Sequence, residues 1–304
     1  MAELITIGQN NGGQRIDNFL VTYCKGVPKG RIYRALRKGE VRVNKSRVDQ
    51  IYRLKEGDEV RVPPFRRSEE VRPQAVPENY QWLESYFLYE DDDLIVVNKP
   101  SGLPVHGGSN VSLGLIESLG CLRPYAKFLK LVHRLDKETS GCLLVAKNRQ
   151  TLLALQELLL THQIEKNYMT LVKGKWKRGE EKIEMKLKKN YLESGERKVK
   201  ITEEGKLAQT IFKPLQKFKI ATLLNAKILT GRTHQIRVQA VALGHPIAGD
   251  EKYGDHAFNR YMRQQGLKRL FLHAAQLKFK LKGKLFNFEA KLPEALSDFL
   301  NQLN

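Results

Sequence analysis

His133-Arg134-Leu135-Asp136-Lys137-Glu138-Thr139-Ser140-Gly141 breaks an apolar stretch that begins at Leu131-Val132 and resumes at Leu143-Leu144-Val145. A polar run set between two strand-like runs must lie at a sheet edge or a turn, because backbone buried there would need hydrogen-bond partners. Asp136 is then a carboxylate held in an apolar frame beside cations. A neighbouring cation keeps such a group charged at neutral pH and gives it directed nucleophilicity. The same spacing also suits a plain connection with an aspartate cap and a glycine turn. The residues by themselves leave both readings open.

Working outward, 94–97 reads as a buried strand ending at Asn98-Lys99-Pro100, and 143–146 as another. Strand-like runs recur at 168–172, 182–187, 220–229, 270–281 and 285–290. Residues 152–160 form an amphipathic helical pattern, and helical spacing returns over 233–243, stopped by Gly244 with Pro246 beyond, and again from Glu294. Strands in such number, interspersed with a few helices, predict an α+β domain over 86–304 around a mixed, largely antiparallel sheet.

Upstream, 66–85 is rich in proline and charge (Pro73, Pro77, Arg66, Arg67, Glu69, Glu70) and carries no apolar period, so it is expected to be a flexible linker. Residues 1–65 are expected to form a small α/β module. Ile16, Phe19, Leu20 and Tyr23 make one helical stripe, which Gly26-Val27-Pro28-Lys29-Gly30 should end. A second helix then puts Ile32 and Leu36 inward and Arg31, Arg34 and Lys38 outward, with Gly39 at the position of a C-terminal cap. Alternating Val41-Arg42-Val43 and Glu59-Val60-Arg61-Val62 follow, strand-like, around the turn signal Lys55-Glu56-Gly57-Asp58.

Charge and length narrow the function classes. The chain has 304 residues, 41% hydrophobic and 28% charged, enough for a sizeable core and too apolar for wholesale disorder. Its net charge of +20 points to a polyanionic partner. Between Lys25 and Arg47 nine basic residues face one acid, Glu40, where a merely solvated surface would mix the signs. No stretch approaches the roughly 18 apolar residues of a membrane span, so no membrane partner is expected. The three cysteines are odd in number and widely spaced, which fits a reducing, cytoplasmic setting better than a disulfide scaffold. The seven histidines do not pair at metal-ligand intervals, and neither a phosphate-cradling glycine loop nor a Gly-x-Ser-x-Gly elbow occurs, so neither metal nor nucleotide cofactor is expected.

The string His133-Arg134-Leu135-Asp136 followed by Thr139-Ser140-Gly141 resembles the active-site signature of the RluA-type RNA pseudouridine synthases. Other segments are similar to that family's motifs in the same order: Asn98-Lys99-Pro100-Ser101-Gly102 with Val105-His106-Gly107-Gly108, then Lys166-Asn167-Tyr168, then Gly231 to Val238, then Gly244 to Asp250. One departure is Gln239, where relatives usually carry histidine. Gln14 to Leu20, the basic second helix and Gly39 to Asn44 resemble the RNA-binding module named after ribosomal protein S4.

The resemblance implies an isomerase that detaches uracil from ribose, rotates it and rejoins it through carbon, without a cofactor. The target base must leave its stack and enter a pocket. Asp136 is the implied nucleophile, and whether it attacks the sugar or the ring, or helps a sugar proton leave, stays open. Arg237 is the implied cation beside Asp136, and Tyr168 the aromatic that stacks on uracil and shuttles a proton at ring carbon five. Arg134 either fills the gap left by the flipped base or contacts phosphate. Arg31, Arg34, Lys38 and Arg42 are expected to hold RNA backbone. The implied partner is large-subunit 23S ribosomal RNA, although nothing in the residues excludes transfer RNA, and a monomer is the default. Two rivals remain: a non-catalytic RNA-binding or ribosome-assembly factor, and an RNA hydrolase using Asp136 with His133.

Overall fold

The structure is a computed structural model that describes residues 2–24, 26–65, 77–107, 113–191 and 197–303. Lys25, positions 66–76 of the expected linker and Gly108 lie outside them. The chain divides into two compact units, one made by residues up to 79 and the other by most of the rest.

In the smaller unit, β1 (Glu3–Thr6), β2 (Arg42–Val43) and β3 (Glu59–Val62) form an antiparallel sheet in the order β1-β3-β2. Helices α1 (Ile16–Tyr23) and α2 (Lys29–Lys38) share one core with it: Ile16, Phe19 and Leu20 meet Ile32, Leu36, Val43 and Val60. Pro28 stands at the N-terminal cap of α2, so Lys29 and Gly30 start that helix rather than end the first. Gly39 closes α2 in the left-handed region, at φ 69°, as its position after Lys38 predicts.

The larger unit runs β4 (Phe87–Glu90), β5 (Leu94–Lys99), α3 (Leu115–Leu122), β6 (Lys130–Leu131), β7 (Ser140–Ala146), α4 (Arg149–Leu160) and β8 (Glu165–Lys173). It continues through β9 (Glu181–Tyr191), β10 (Arg197–Ile201), β11 (Lys206–Lys217), β12 (Ala221–Ile228) and α5 (Gln235–Ala242). It closes with α6 (His256–Gln264), β13 (Leu272–Leu281), β14 (Lys284–Glu289) and α7 (Glu294–Gln302). One sheet follows the order β10-β9-β11-β12-β8-β13-β7-β5-β4, with β14 added to β13 and β6 to β7. Its pairings are antiparallel except that of β7 with β13, which run parallel at Ser140–Gly141 and His273–Ala274. The architecture is α+β with a mixed, largely antiparallel sheet.

The central strands are continuously apolar because both faces are covered. Leu94 and Val96 of β5 pack with Leu144, Leu155 and Phe279 on one face, while Ile95 and Val97 pack with Leu143, Leu119 and Tyr168 on the other. The linker expected over 66–85 ends early. Pro77–Tyr86 winds as a 3-10 helix, and Leu83 is fully buried in the same core as Ile95 and Val97. One buried leucine on a tight three-residue turn leaves no 3.6-residue stripe in the sequence, which is why this anchor reads as linker.

Candidate active site

The polar run at 133–141 becomes the connection from β6 to β7, and the strand that follows it fixes its end. Gly141 has φ 111°, and a Cβ there would lie 2.2 Å from the carbonyl oxygen of Ala274 on β13. The close parallel approach of the two strands therefore requires glycine. Beside it, the Ser140 hydroxyl lies 2.8 Å from His273 Nδ1 and accepts from Arg269 at 2.7 Å, while His273 Nε2 donates to the Ala290 carbonyl at 2.9 Å.

The loop itself is held by Asn98–Gly102. Lys99, fully buried, donates from Nζ to the carbonyls of Pro100, Leu103 and Lys137 at 2.8–3.0 Å. The Gly102 N–H also donates to Lys137, and Ser101 donates to the Glu138 carbonyl. Burial, with the nearby Arg269 adding, pushes the Lys99 ammonium down to about 7 against the pull of Glu138 and Asp136. His133 accepts the Leu144 N–H on Nε2, and burial, with Lys166 nearby, pushes its imidazole down to about 3. A ring so fixed is a neutral acceptor, which removes it as the partner of Asp136 in hydrolysis.

Asp136 lies on a hollow of about 100 Å³ lined also by Arg134, Thr139, Tyr168, Ile228, His234, Arg237 and Leu272. Its Oδ2 is 3.5 Å from Arg237 Nη1 and 3.7 Å from His234 Nε2. His234 and Arg237 stand three residues apart at the start of α5, so both meet the same side of the hollow. The tighter partner of Arg237 is Asp250, fully buried, which accepts from Nε at 2.8 Å and from Nη2 at 2.7 Å. Asp250 Oδ1 also accepts the N–H groups of Lys252 and Tyr253. A guanidinium inside an apolar helix is thus balanced by a second carboxylate, and its remaining nitrogen is left for Asp136. Arg237 also lies over the Tyr253 ring, 5.1 Å from its centroid.

Tyr253 sets the imidazole. Its oxygen accepts the Val199 N–H at 2.9 Å and lies 2.7 Å from His234 Nδ1, which holds the ring in place. The other ring nitrogen, Nε2, faces Asp136 at 3.7 Å. Burial lowers the His234 pKa, against the upward pull of Asp136. The backbone at His234 is left-handed, at φ 53°, an uncommon state for a residue with a side chain, here at the edge of the site.

Tyr168 forms the floor. It is buried on β8, in register with Ala226 of β12 and Ala274 of β13, and its side chain lines the hollow. Burial, with the charge of Asp136 adding, raises its hydroxyl well above the usual phenol value. No residue among those described hydrogen-bonds to that hydroxyl. The structure therefore brings Asp136, Tyr168 and Arg237 together around one hollow, with Arg134 exposed at its mouth. Among the described residues no group of His, Cys, Asp and Glu converges as a metal site, and no helix is long and apolar enough to cross a membrane.

Sequence reasoning left Lys99, His234, Asp250 and Tyr253 without roles, although Lys99, His234 and Asp250 lie inside the quoted motifs. Asp250 is 13 residues from Arg237, a spacing that carries no local signal. Gln239, the departure from the pattern, is a core tie: it accepts from Thr210 at 2.6 Å and donates to the Ala208 carbonyl at 3.1 Å.

In the smaller unit the expected RNA-facing residues divide. Arg34 and Lys38 are exposed on α2. Arg31 is instead half-buried, pairing with Glu40 at 2.6 Å and lying over Phe65, and Arg42 donates to the carbonyls of Gly39 and Lys45. The outward row expected from spacing loses Arg31 to the one acid in the segment.

The model of a family described as RNA pseudouridylate synthase matches residues 93–242, and that of the S4 domain matches residues 14–60. "Ribosomal large subunit pseudouridine synthase C" of Yersinia pestis is 51% identical over 300 residues, covering 97% of this chain and 94% of that protein. Its counterpart in Escherichia coli (strain K12) is 49% identical over 307 residues, covering 99% and 96%. The chain belongs to the RNA pseudouridylate synthase family. Among solved structures, "Human RNA Pseudouridylate Synthase Domain Containing 4" is similar with a TM-score of 0.63 and 28% identity, covering 75% of this chain and 96% of that one. As a pseudouridine synthase it is an isomerase that converts uridine in RNA to pseudouridine, with an S4 domain preceding the synthase domain. The matched span of the synthase model contains Asp136, Tyr168, His234 and Arg237 and stops short of Asp250 and Tyr253.

Proposed function

We propose that this pseudouridine synthase acts on large-subunit 23S ribosomal RNA in the cytoplasm, with Asp136 as its nucleophile. The names of the two bacterial relatives support the substrate, since both cover nearly the whole chain. The free thiols of Cys24, Cys121 and Cys142 fit a reducing compartment.

The observation that carries the catalytic reading is the placement of Asp136: a carboxylate at the edge of a hollow, flanked by Arg237 and His234, over a tyrosine whose hydroxyl has no hydrogen-bond partner among the described residues. The extruded uridine enters beside Asp136. Arg237, already balanced by Asp250, orients the nucleophile without neutralising it. Tyr168 supports the uracil ring. Its raised pKa means that it takes the proton from ring carbon five only while passing its own onward. Arg134 at the mouth meets the strand as the base leaves its stack, through phosphate or by filling the vacated place. The S4 domain, through Arg34 and Lys38, with the more internally engaged Arg31 and Arg42 beside them, holds RNA backbone.

Tritium release from ribosomal RNA labelled at uracil carbon five tests this. The enzyme is expected to release tritium at uridines of 23S RNA taken from a strain lacking it. Asp136→Ala is expected to reduce release to background while RNA affinity stays within about threefold. Undiminished release by Asp136→Ala would remove that residue from the chemistry.

A further inference from the structure

Beside the hollow that holds Asp136 lies a second one, of about 400 Å³, lined by His133, Arg134, Leu159, Leu160, Lys166 and Tyr168, among others. Arg134 and Tyr168 line both. Lys166 and Tyr168 are two apart on β8, so their side chains share a face of the sheet. The floor that supports the target base therefore continues into the second hollow.

Two features of this place have no use in the fold. Lys166 is only 5% exposed, yet its Nζ makes no hydrogen bond or ion pair with any described residue. Burial pushes this ammonium down to about 8, and no carboxylate among the described residues pulls it back up. A buried cation without a partner is costly, and one that lines an open hollow is supplied for something that enters. The second feature is Leu160, at the end of α4, which is 75% exposed at the same hollow. His133, fixed as a neutral acceptor by the Leu144 N–H, adds a flat and uncharged wall.

Apolar walls with one recessed ammonium suit a planar base better than a phosphate. A phosphate diester would have to shed water against leucine side chains, whereas a nucleobase has two apolar faces and acceptors on its edge. We infer that this hollow is a second nucleobase site, which takes the base adjacent to the target uridine in the RNA chain and reads its exocyclic carbonyl oxygen with Lys166. The base stacks against Leu160, and Arg134 lies between the two nucleotides. Guanine and uracil present a carbonyl oxygen and fit; adenine sets an amino donor beside its ring acceptor and fits poorly. Lys166 is then a specificity-determining residue. The inference rests on the assignment of the Asp136 hollow to the target uridine.

The test uses the full-length enzyme and ribosomal RNA fragments spanning a mapped target uridine, with each neighbouring nucleotide in turn natural, adenosine or abasic. Wild-type enzyme is expected to lose about tenfold in kcat/KM, through KM, when one particular neighbour becomes adenosine or abasic. Lys166→Met, which keeps the apolar stem, is expected to lose the same factor on the natural fragment and to be insensitive to that neighbour. Its saturating kcat and the slope of binding against salt should stay as in wild type, because no phosphate contact is removed. Equal turnover by wild type on all neighbours would overturn the inference, as would full neighbour preference in Lys166→Met. A variant weakened equally on intact and abasic fragments, with a salt slope lower by about one, would show a phosphate there instead and also overturn it. Wild-type enzyme that forms no pseudouridine on any fragment would refute the proposed function itself, a result distinct from these.

Discussion

At the scale of single residues, Arg237 stands between two carboxylates and treats them unequally. Asp250 takes two of its nitrogens at 2.7 and 2.8 Å, and Asp136 faces the third at 3.5 Å. Arg237→Met is therefore expected to lose turnover while RNA binding largely persists, checked by single-turnover tritium release beside filter binding. Asp250→Asn should lower the unfolding free energy by about 3–5 kcal/mol, because it leaves a buried guanidinium half-paired. Denaturant unfolding measures that loss. Buried lysines add a pH dependence. Lys99 and Lys166 have pKa values lowered to about 7 and about 8 in the folded state, against 10.5 when unfolded. From pH 7 upward the unfolded chain holds more protons than the native one, so stability rises with pH until other groups titrate. Urea unfolding at pH 7 and pH 9 should show the rise, and Lys166→Met should make it shallower.

At the scale of elements, the site depends on how β7 and β13 meet. Theirs is the parallel pairing of the sheet, it spans only two residue pairs, and it brings Gly141 against the Ala274 carbonyl. Gly141→Ala combines a close contact with a backbone angle that L residues rarely adopt. It is expected to destabilise the domain by about 2–4 kcal/mol and to lower activity by displacing the Asp136 loop. Thermal unfolding and tritium release would both register it. Most strands, though not β1, β4 or β10, and the helices α1, α2, α4, α5 and α7 were legible in the sequence because each carries a run or a stripe of its own. β11, α3 and α6 were not. β11 carries Lys206, Lys213 and Lys217 among its apolar residues, and becomes a strand through pairing with β9 and β12 on either side. Its partners supply the regularity that its own residues lack.

At the scale of the whole molecule, a net charge of +20 and two RNA-directed units make binding strongly salt-dependent. Removing residues 1–65 is expected to weaken RNA affinity and to flatten the plot of log affinity against log salt concentration, while tritium release at saturating RNA persists. An unaltered salt slope would count against an RNA-holding role for that domain. What the sequence determined by itself was everything carried by short spacing: the α+β class, the S4 domain, the order of the motifs and Asp136 as the candidate nucleophile. Helical and strand periods, caps and motif strings are local, so they survive in one dimension. Tertiary structure alone decided which charges meet. Asp250, His234 and Tyr253 gather around Arg237, Lys99 clasps the Asp136 loop, and Lys166 has no partner among the described residues in its hollow. Coulombic and hydrogen-bonded contacts act over a few ångströms of space, and chain distance does not report which residues folding brings that close.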